Sequence, residues 1–295
     1  MAKRKLNHLT KFDGFIYITI TLFSLFCTLP MLLVFIVSIT EESAIAKNGY
    51  SFFPEQLSLE AYRLIFNGSS SVFRSFGISV FVTVCGTLLS VIITSMCAFT
   101  LANKNVKYRN GLAFFFFFTM LFNAGLVPWF MMCRNLGLYN NVLALIIPGL
   151  VFNPYNMFLV RNYMAGIPDS LMESAKLDGA NELVIAFRIY FPLSLPVLAA
   201  VTLFYALSYW NDWWNAIMLV DDSKLYPLQY LLFRLQSEIQ MLKDLQLRSA
   251  GGAVKLPAES VKMATVIVTV GPIIFLYPYL QKHFVKGLVI GGVKG

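Results

Sequence analysis

Glu173 and Asp178 are two carboxylates in a polar, partly charged interlude, residues 167–196 (IPDSLMESAKLDGANELVIAFRIYFPLSLP), set between long apolar runs. Beside them stand Ser174, Ala175 and Ala180, small enough to let another protein's surface reach the backbone, and Gly179, which permits an abrupt turn. The chemistry open to this set is docking: carboxylates for a basic partner, small residues for close approach. An interfacial helix lying at the lipid headgroups is the alternative by spacing alone. A second set lies downstream. Ser208, Asn211 and Asn215 recur at helical spacing, and Tyr205, Tyr209 and Asp212 form an adjacent stripe, all within an apolar run. Such stripes either line the path of a polar solute or bond one helix to the next. Trp210, Trp213 and Trp214 add flat faces that suit either an aromatic belt at a membrane interface or the C–H face of a sugar.

Other chemistries lack the residues they need. No Gly-x-x-x-x-Gly-Lys-Ser/Thr occurs, so the chain cannot build a standard phosphate-binding loop and does not hydrolyse ATP itself. His8 and His283 are the only histidines, one near each end, which disfavours a histidine metal cluster or a histidine-based catalytic pair. Cys27, Cys85, Cys97 and Cys133 fall in or at the ends of apolar runs without a Cys-x-x-Cys pair and read as packing residues. No catalytic residue, metal site or bound cofactor is expected.

Local signals shape the polar interlude into two short helices. Ser170 followed by Glu173 has the spacing of a capping box, and Asp169 beside the helix dipole strengthens that start. Gly179 is placed to stop the first helix in the left-handed geometry. A second helix is expected from about Asn181 toward Tyr190, ending near Pro192.

The elements that must hold these sites are membrane spans. The chain has 295 residues, is 58% hydrophobic and 13% charged, and has a mean hydropathy of +0.68. That charge content is far below the roughly 25% of soluble domains. About 20 apolar residues cross the hydrocarbon as a helix. Six candidates satisfy this, at residues 15–39, 76–102, 111–132, 142–160, 193–219 and 263–280. The first is longer than a signal-peptide core and is read as uncleaved. The fourth contains Pro148 and Pro154, which free backbone carbonyls that neighbours or water must satisfy. Between the fifth and sixth lies a mixed-charge external loop of residues 220–262. The expected fold is therefore an all-α integral membrane protein with six transmembrane helices. Residues 1–14 form a cytoplasmic N-terminus, 15–281 the spanning domain and 282–295 a cytoplasmic tail.

Lysine and arginine placement orients the spans. The segments assigned inside carry 4, 3, 3 and 3 of them, whereas the two shorter outside loops together carry four. The long outside loop breaks the pattern with six, balanced by five acidic residues. The net charge of +8 is thus scattered over loops and span ends, as orientation requires, and is not gathered into a nucleic-acid-binding face. Spans one to four and six have no ionisable group in their interiors, which argues against a proton-driven carrier.

The interlude resembles the EAA loop of ABC importer membrane subunits, the cytoplasmic loop that docks on the ATPase. Glu173-Ser174-Ala175 stands where the family has Glu-Ala-Ala, Asp178-Gly179-Ala180 reproduces its Asp-Gly-Ala, and the spacing to Ile189 and Pro192 fits. Ser174 for an alanine and Phe191 for a leucine are departures that keep small and apolar character. Residues 123–150, Arg161-Asn162, Tyr209-Trp210-Asn211-Asp212, Leu225-Tyr226-Pro227-Leu228 and residues 286–295 extend the resemblance to carbohydrate-uptake permeases of the maltose-importer type. The chain is most similar to the second, shorter permease. The resemblance implies a type I ABC importer transmembrane domain in the cytoplasmic membrane of a prokaryote, with a cytoplasmic coupling loop at 167–192. It further implies a homologous second permease, an ABC ATPase dimer that holds ATP and Mg, and an extracytoplasmic solute-binding protein delivering an oligosaccharide. A permease for an amino acid or peptide, or an ATP-independent channel, are the alternative readings.

Overall fold

The computed structural model describes residues 11–67, 69–122, 124–248 and 258–291. All regular elements among them are helical; the only β feature is a single bridge between Thr40 and Leu57. The chain divides into two units, residues 1–68 with 235–270 and residues 69–234 with 271–295.

In the first unit, α1 (Lys11–Ser38) is long and apolar enough to cross a bilayer from Gly14 onward. Its phenylalanines, including Phe15, Phe23 and Phe26, face outward, as lipid or another membrane helix requires. Two short helices follow, α2 (Glu42–Asn48) and α3 (Glu60–Asn67), where the sequence suggested only a polar loop. Ser38 and Tyr62 share a hydrogen bond of 2.8 Å that holds α3 to the end of α1.

The second unit is built on α4 (Ser69–Ala102), a spanning helix that starts several residues before the expected 76. The third, fourth and fifth expected spans are broken. The third is α5 (Arg109–Leu121) and α6 (Leu126–Asn135), bent by 119° where Gly125 has φ +87°. The fourth reduces to one turn, α7 (Leu143–Ile146), a turn containing Pro148 and Gly149, and α8 (Pro154–Met164). Asn153 caps α8, accepting the Tyr155 and Asn156 N–H groups at 2.9 and 3.3 Å, with Pro154 in the first turn where its missing N–H is not needed. The interlude contributes α9 (Asp169–Leu177), α10 (Glu182–Ile185) and α11 (Phe191–Leu193). The fifth expected span is α12 (Leu195–Trp210) and α13 (Trp214–Leu219), separated at residues 211–213.

Two long helices complete the described residues. The mixed-charge loop is largely α14 (Leu228–Arg248), and the expected sixth span lies within α15 (Ala258–Gly291), whose backbone continues past the expected start of the tail. Among the described residues two helices are long and apolar enough to span, and counting α5 with α6, and residues 182–193 with α12, as one bent span each raises the number to four. Residues 1–10, Asn123, 249–257 and 292–295, which carry the N-terminal charges and parts of the family-like segments, lie outside the described residues.

Helix α4 packs against α12 and α8. One apolar cluster joins Phe99 and Leu101 of α4 to Met157, Val160 and Met164 of α8 and Val197, Val201 and Tyr205 of α12. A second gathers Val82, Leu145, Ile146, Tyr209, Ala216 and Leu219. Gly86 decides how closely α4 and α12 approach. A Cβ there would sit 2.5 to 2.8 Å from the Tyr209 ring, and that ring is buried and hydrogen-bonded at its far end. Gly86→Val is therefore expected to displace Tyr209 and destabilise the unit by about 1–3 kcal/mol. A thermal unfolding midpoint in mild detergent equal to that of the native chain would contradict this packing.

Candidate functional site

Helix α9 starts at Asp169, two residues earlier than a cap at Ser170 would place it, with Pro168 at the cap position. No side chain caps it, so the expected Ser170–Glu173 capping box does not form; Asp169 in the first turn supplies the favourable charge. At its other end the chain turns as expected at Gly179, which has φ +81°. The Gly179 N–H donates to the Lys176 carbonyl at 3.0 Å and the Ala180 N–H to the Ala175 carbonyl at 2.9 Å, the paired bonds of a Schellman stop. Asn181 then caps α10 by accepting the Val184 N–H at 2.9 Å.

The second helix of the interlude changes pitch. Pro192 has no N–H to offer the Arg188 carbonyl, and the ladder widens to a π turn over Ala186–Tyr190, with Phe191 N–H bonding to the Ala186 carbonyl. Beyond it the chain bends by 85° at Ser194 into α12. There the Ser194 N–H meets the Tyr190 and Phe191 carbonyls at 2.9 and 3.1 Å.

One side of the interlude is locked to the unit's core. Met172, Ala175, Ile185, Ala186 and Tyr190 are buried in the cluster with α4 and α8, and the Tyr190 ring meets Phe99 edge-on at 5.0 Å. This corrects the role expected of Ala175: its methyl faces the chain's own core and offers no approach to a partner. Glu173, Ser174, Asp178, Gly179 and Pro192 are exposed, and Ala180 and Ile189 half-buried. Lys176 pairs with Glu182 at 2.7 Å across the Gly179 turn, and Lys104 with Asp169 at 2.6 Å ties α9 to the segment after α4. Both pairs are largely solvent-exposed and set geometry more than stability, at about 0–1 kcal/mol each. The apolar Leu177 and Leu183 are exposed on the same outward side.

The downstream polar stripes separate. Tyr205, Tyr209 and Asn215 are buried and turned to the broken fourth segment. The Tyr209 hydroxyl donates to the Ile146 carbonyl at 2.9 Å and bonds Ser90 Oγ at 3.0 Å; Asn215 Nδ2 donates to the Pro148 carbonyl at 3.0 Å. The Tyr205 hydroxyl accepts the Asn153 N–H at 3.0 Å and bonds Thr94 Oγ1 at 2.7 Å. Ser208 and Asn211 stay exposed and bond back to the Phe204 and Leu207 carbonyls of their own helix, each at 2.8 Å. The break at residues 211–213 removes Asn215 from their line. Asp212 covers the first turn of α13, accepting the Trp214 and Asn215 N–H groups at 3.1 and 3.3 Å.

The three tryptophans do not make one platform. Trp210 is buried with its ring edge-on to Phe76, Trp213 stacks on Phe233 at 5.3 Å, and Trp214 meets Trp213 edge-on. Beyond α13, Asn140, at φ +52°, accepts the Asp221 and Asp222 N–H groups, and Tyr139 donates to the Asp221 carboxylate at 2.7 Å. That bond pushes the Tyr139 hydroxyl above its ordinary range. No group of three or more metal-ligating side chains occurs among the described residues.

Sequence reasoning missed the contribution of α4. Ser79, Gly86, Ser90 and Thr94 face its partners, and Ser79 Oγ accepts the Leu228 N–H at 2.8 Å. Their recurrence at intervals of seven, four and four residues in an apolar run, two turns and then one turn of helix, is the signal that marks them.

Residues 86–290 match the family described as binding-protein-dependent transport system inner membrane component. The chain is 38% identical over 284 residues to the polygalacturonan/rhamnogalacturonan transport system permease protein YtcP of Bacillus subtilis, covering 96% of this chain and 98% of that protein. It is 29% identical over 273 residues to the arabinooligosaccharides transport system permease protein AraQ of Halalkalibacterium halodurans, covering 90% and 91%. A chain from the crystal structure of a bacterial ABC transporter involved in the import of the acidic polysaccharide alginate superposes with a TM-score of 0.78 at 30% identity, covering 96% of this chain and 100% of that one.

Tyr209→Phe keeps the ring on Gly86 but leaves the Ile146 carbonyl without its donor. The expected loss is about 1–3 kcal/mol of stability, against less than about 0.5 kcal/mol for Ser208→Ala at the exposed position. Thermal unfolding of both variants in the same detergent checks the contrast, and equal effects would contradict it.

Proposed function

Because the chain belongs to the family of binding-protein-dependent transport system inner membrane components, we propose that it is a permease subunit of an ATP-driven ABC importer that carries an oligosaccharide across the cytoplasmic membrane. The near full-length match to permeases named for oligo- and polysaccharide transport carries the substrate class. The chain works with a homologous second permease to form the path, and an extracytoplasmic binding protein delivers the sugar to its outer mouth. ATP and Mg sit on a partner ATPase dimer. Six crossings are assigned to α1, α4, α5 with α6, α7 with α8, α12 with α13, and α15, with both termini cytoplasmic.

The interlude is the coupling loop of this assembly. Its exposed side offers Glu173, Asp178 and the turn at Gly179 to the ATPase, and its buried side grips α4 and α8. Closure of the ATPase dimer draws the loops of the two permeases together. The buried side chains carry that displacement into the helix core, and the bend at Ser194 redirects it along α12. Among the path candidates, Ser208 and Asn211 present exposed polar atoms to a passing solute, whereas Tyr205, Tyr209 and Asn215 bond the walls together and Asp212 shapes the break between them.

Gly179→Pro tests the coupling role. Proline cannot adopt a φ of +81° and lacks the N–H that bonds the Lys176 carbonyl. The variant is expected to assemble in the membrane yet lose sugar uptake by at least about tenfold, while the ATPase no longer responds to the loaded binding protein. Unchanged uptake would overturn the coupling role. Purification of the tagged native chain in mild detergent tests the assembly itself. Recovery of an ATPase and a second permease is the expected result, and recovery of the chain alone would favour an ATP-independent channel.

A further inference from the structure

The mixed-charge stretch after α13 has no role in the coupling loop or the path, yet α14 gives it an ordered face. Gln236, Gln240 and Asp244 recur every fourth residue and form one polar ridge, with Met241 and Leu245 beside it. Together with Lys262 from the second turn of α15, they line a cavity of about 610 Å3 within the first unit. That volume lies within the range of about 300–1,000 Å3 of small-molecule sites.

We propose that this cavity is a receiving subsite for an uncharged sugar unit of the oligosaccharide, outside the membrane path. The proposal rests on the oligosaccharide-import reading, which also places α14 and the start of α15 on the outer side. The lining matches the chemistry of such a unit. Two carboxamides offer both donors and acceptors, as vicinal hydroxyls require, and an ammonium and a carboxylate add the stronger charge-assisted bonds. Among the described lining residues one cation, Lys262, faces one anion, Asp244, a balance that suits an uncharged ligand. Met241 and Leu245 supply apolar surface for the C–H face.

The wall is held in place before any ligand arrives. Gln240 Nε2 donates to Asp244 Oδ1 at 3.1 Å, fixing two of the polar groups relative to each other. At the start of α15, the Glu42 carboxylate accepts the Glu259 and Ser260 N–H groups at 3.1 Å each, and Tyr50 donates to Glu259 at 2.8 Å. Lys262 follows within one turn of that anchor. Polar groups fixed in advance lose less freedom on binding, so a few contacts suffice to hold a sugar unit for the time of a handover.

The test uses the complete importer, with its ATPases, second permease and binding protein, reconstituted in lipid nanodiscs or proteoliposomes. An uncharged oligosaccharide bearing a benzophenone at one end is loaded on the binding protein and photolysed with the native assembly. Labelled peptides from residues 236–245 and 258–262 are expected, suppressed by unlabelled neutral oligosaccharide. Labelling elsewhere only, or suppression by a uronate oligosaccharide but not a neutral one, overturns the proposal. The Q236A/Q240A pair is expected to lower maximal uptake about tenfold while the concentration of loaded binding protein that half-activates the ATPase stays unchanged. Unchanged uptake, or a rise in that half-activating concentration, overturns it, the latter by identifying a protein-docking surface. A native assembly that imports no oligosaccharide at all refutes the import reading itself, a result distinct from any of these.

Discussion

A backbone carbonyl without a partner is costly in an apolar medium, about 2–7 kcal/mol by transfer measurements, and the broken segment from α7 to α8 leaves several. Between α7 and α8 the chain abandons helix at Pro148 and Gly149, so Ile146, Pro148 and Asn153 have backbone groups that no regular ladder serves. Tyr209, Asn215 and Tyr205 satisfy them from one side, and Ser90 and Thr94 hold the tyrosine hydroxyls from the other. The arrangement explains features that otherwise look unrelated: the absence of a side chain at Gly86, the hydroxyls along α4, and the burial of two tyrosine hydroxyls in a largely apolar helix. Removing the break would make most of these polar residues unnecessary.

Much of the interlude was legible because its signals are local. Gly179 stops a helix through its own φ, Asn181 caps through its own side chain, and Pro192 acts on the residues just before it. The capping box failed because it is only a spacing. Ser170 and Glu173 have the right separation, but the helix starts at Asp169 and puts them both inside it. The inward turn of Ala175 was hidden for a related reason. A small residue between polar neighbours reads as surface until its helix is docked, and only the packing of Met172 and Tyr190 against α4 and α8 shows which side is down.

The downstream stripes were less legible, since their spacing assumed one continuous helix. Ser208, Asn211 and Asn215 share a face only if residues 211–213 are helical. Asp212 instead takes up the first N–H groups of a new helix, and Asn215 turns toward Pro148. Hydropathy likewise marked apolar runs at 111–132, 142–160 and 193–219 without their interruptions, because average apolar content is insensitive to a turn of three or four residues. The prolines and glycines in those runs were the available signal. Their consequence depended on which neighbouring side chains would take up the freed groups, and that is a tertiary fact.

The same hydrogen bonds bear on how the proposed coupling loop acts at a distance. Movement at Gly179 cannot be absorbed inside the loop, because Met172, Ile185, Ala186 and Tyr190 interlock with α4 and α8. Nor can it easily be absorbed between α12 and α4 at the level of Tyr205 and Tyr209, where sliding would break several buried hydrogen bonds together. The bend at Ser194, where the chain changes direction by 85° beside a π turn, is itself buried between two parts of the same cluster. Interiors packed at this density switch between arrangements and do not deform smoothly. A pull on the loop is therefore expected to move the loop, α4, α8 and α12 together as one body, with their buried polar bonds intact.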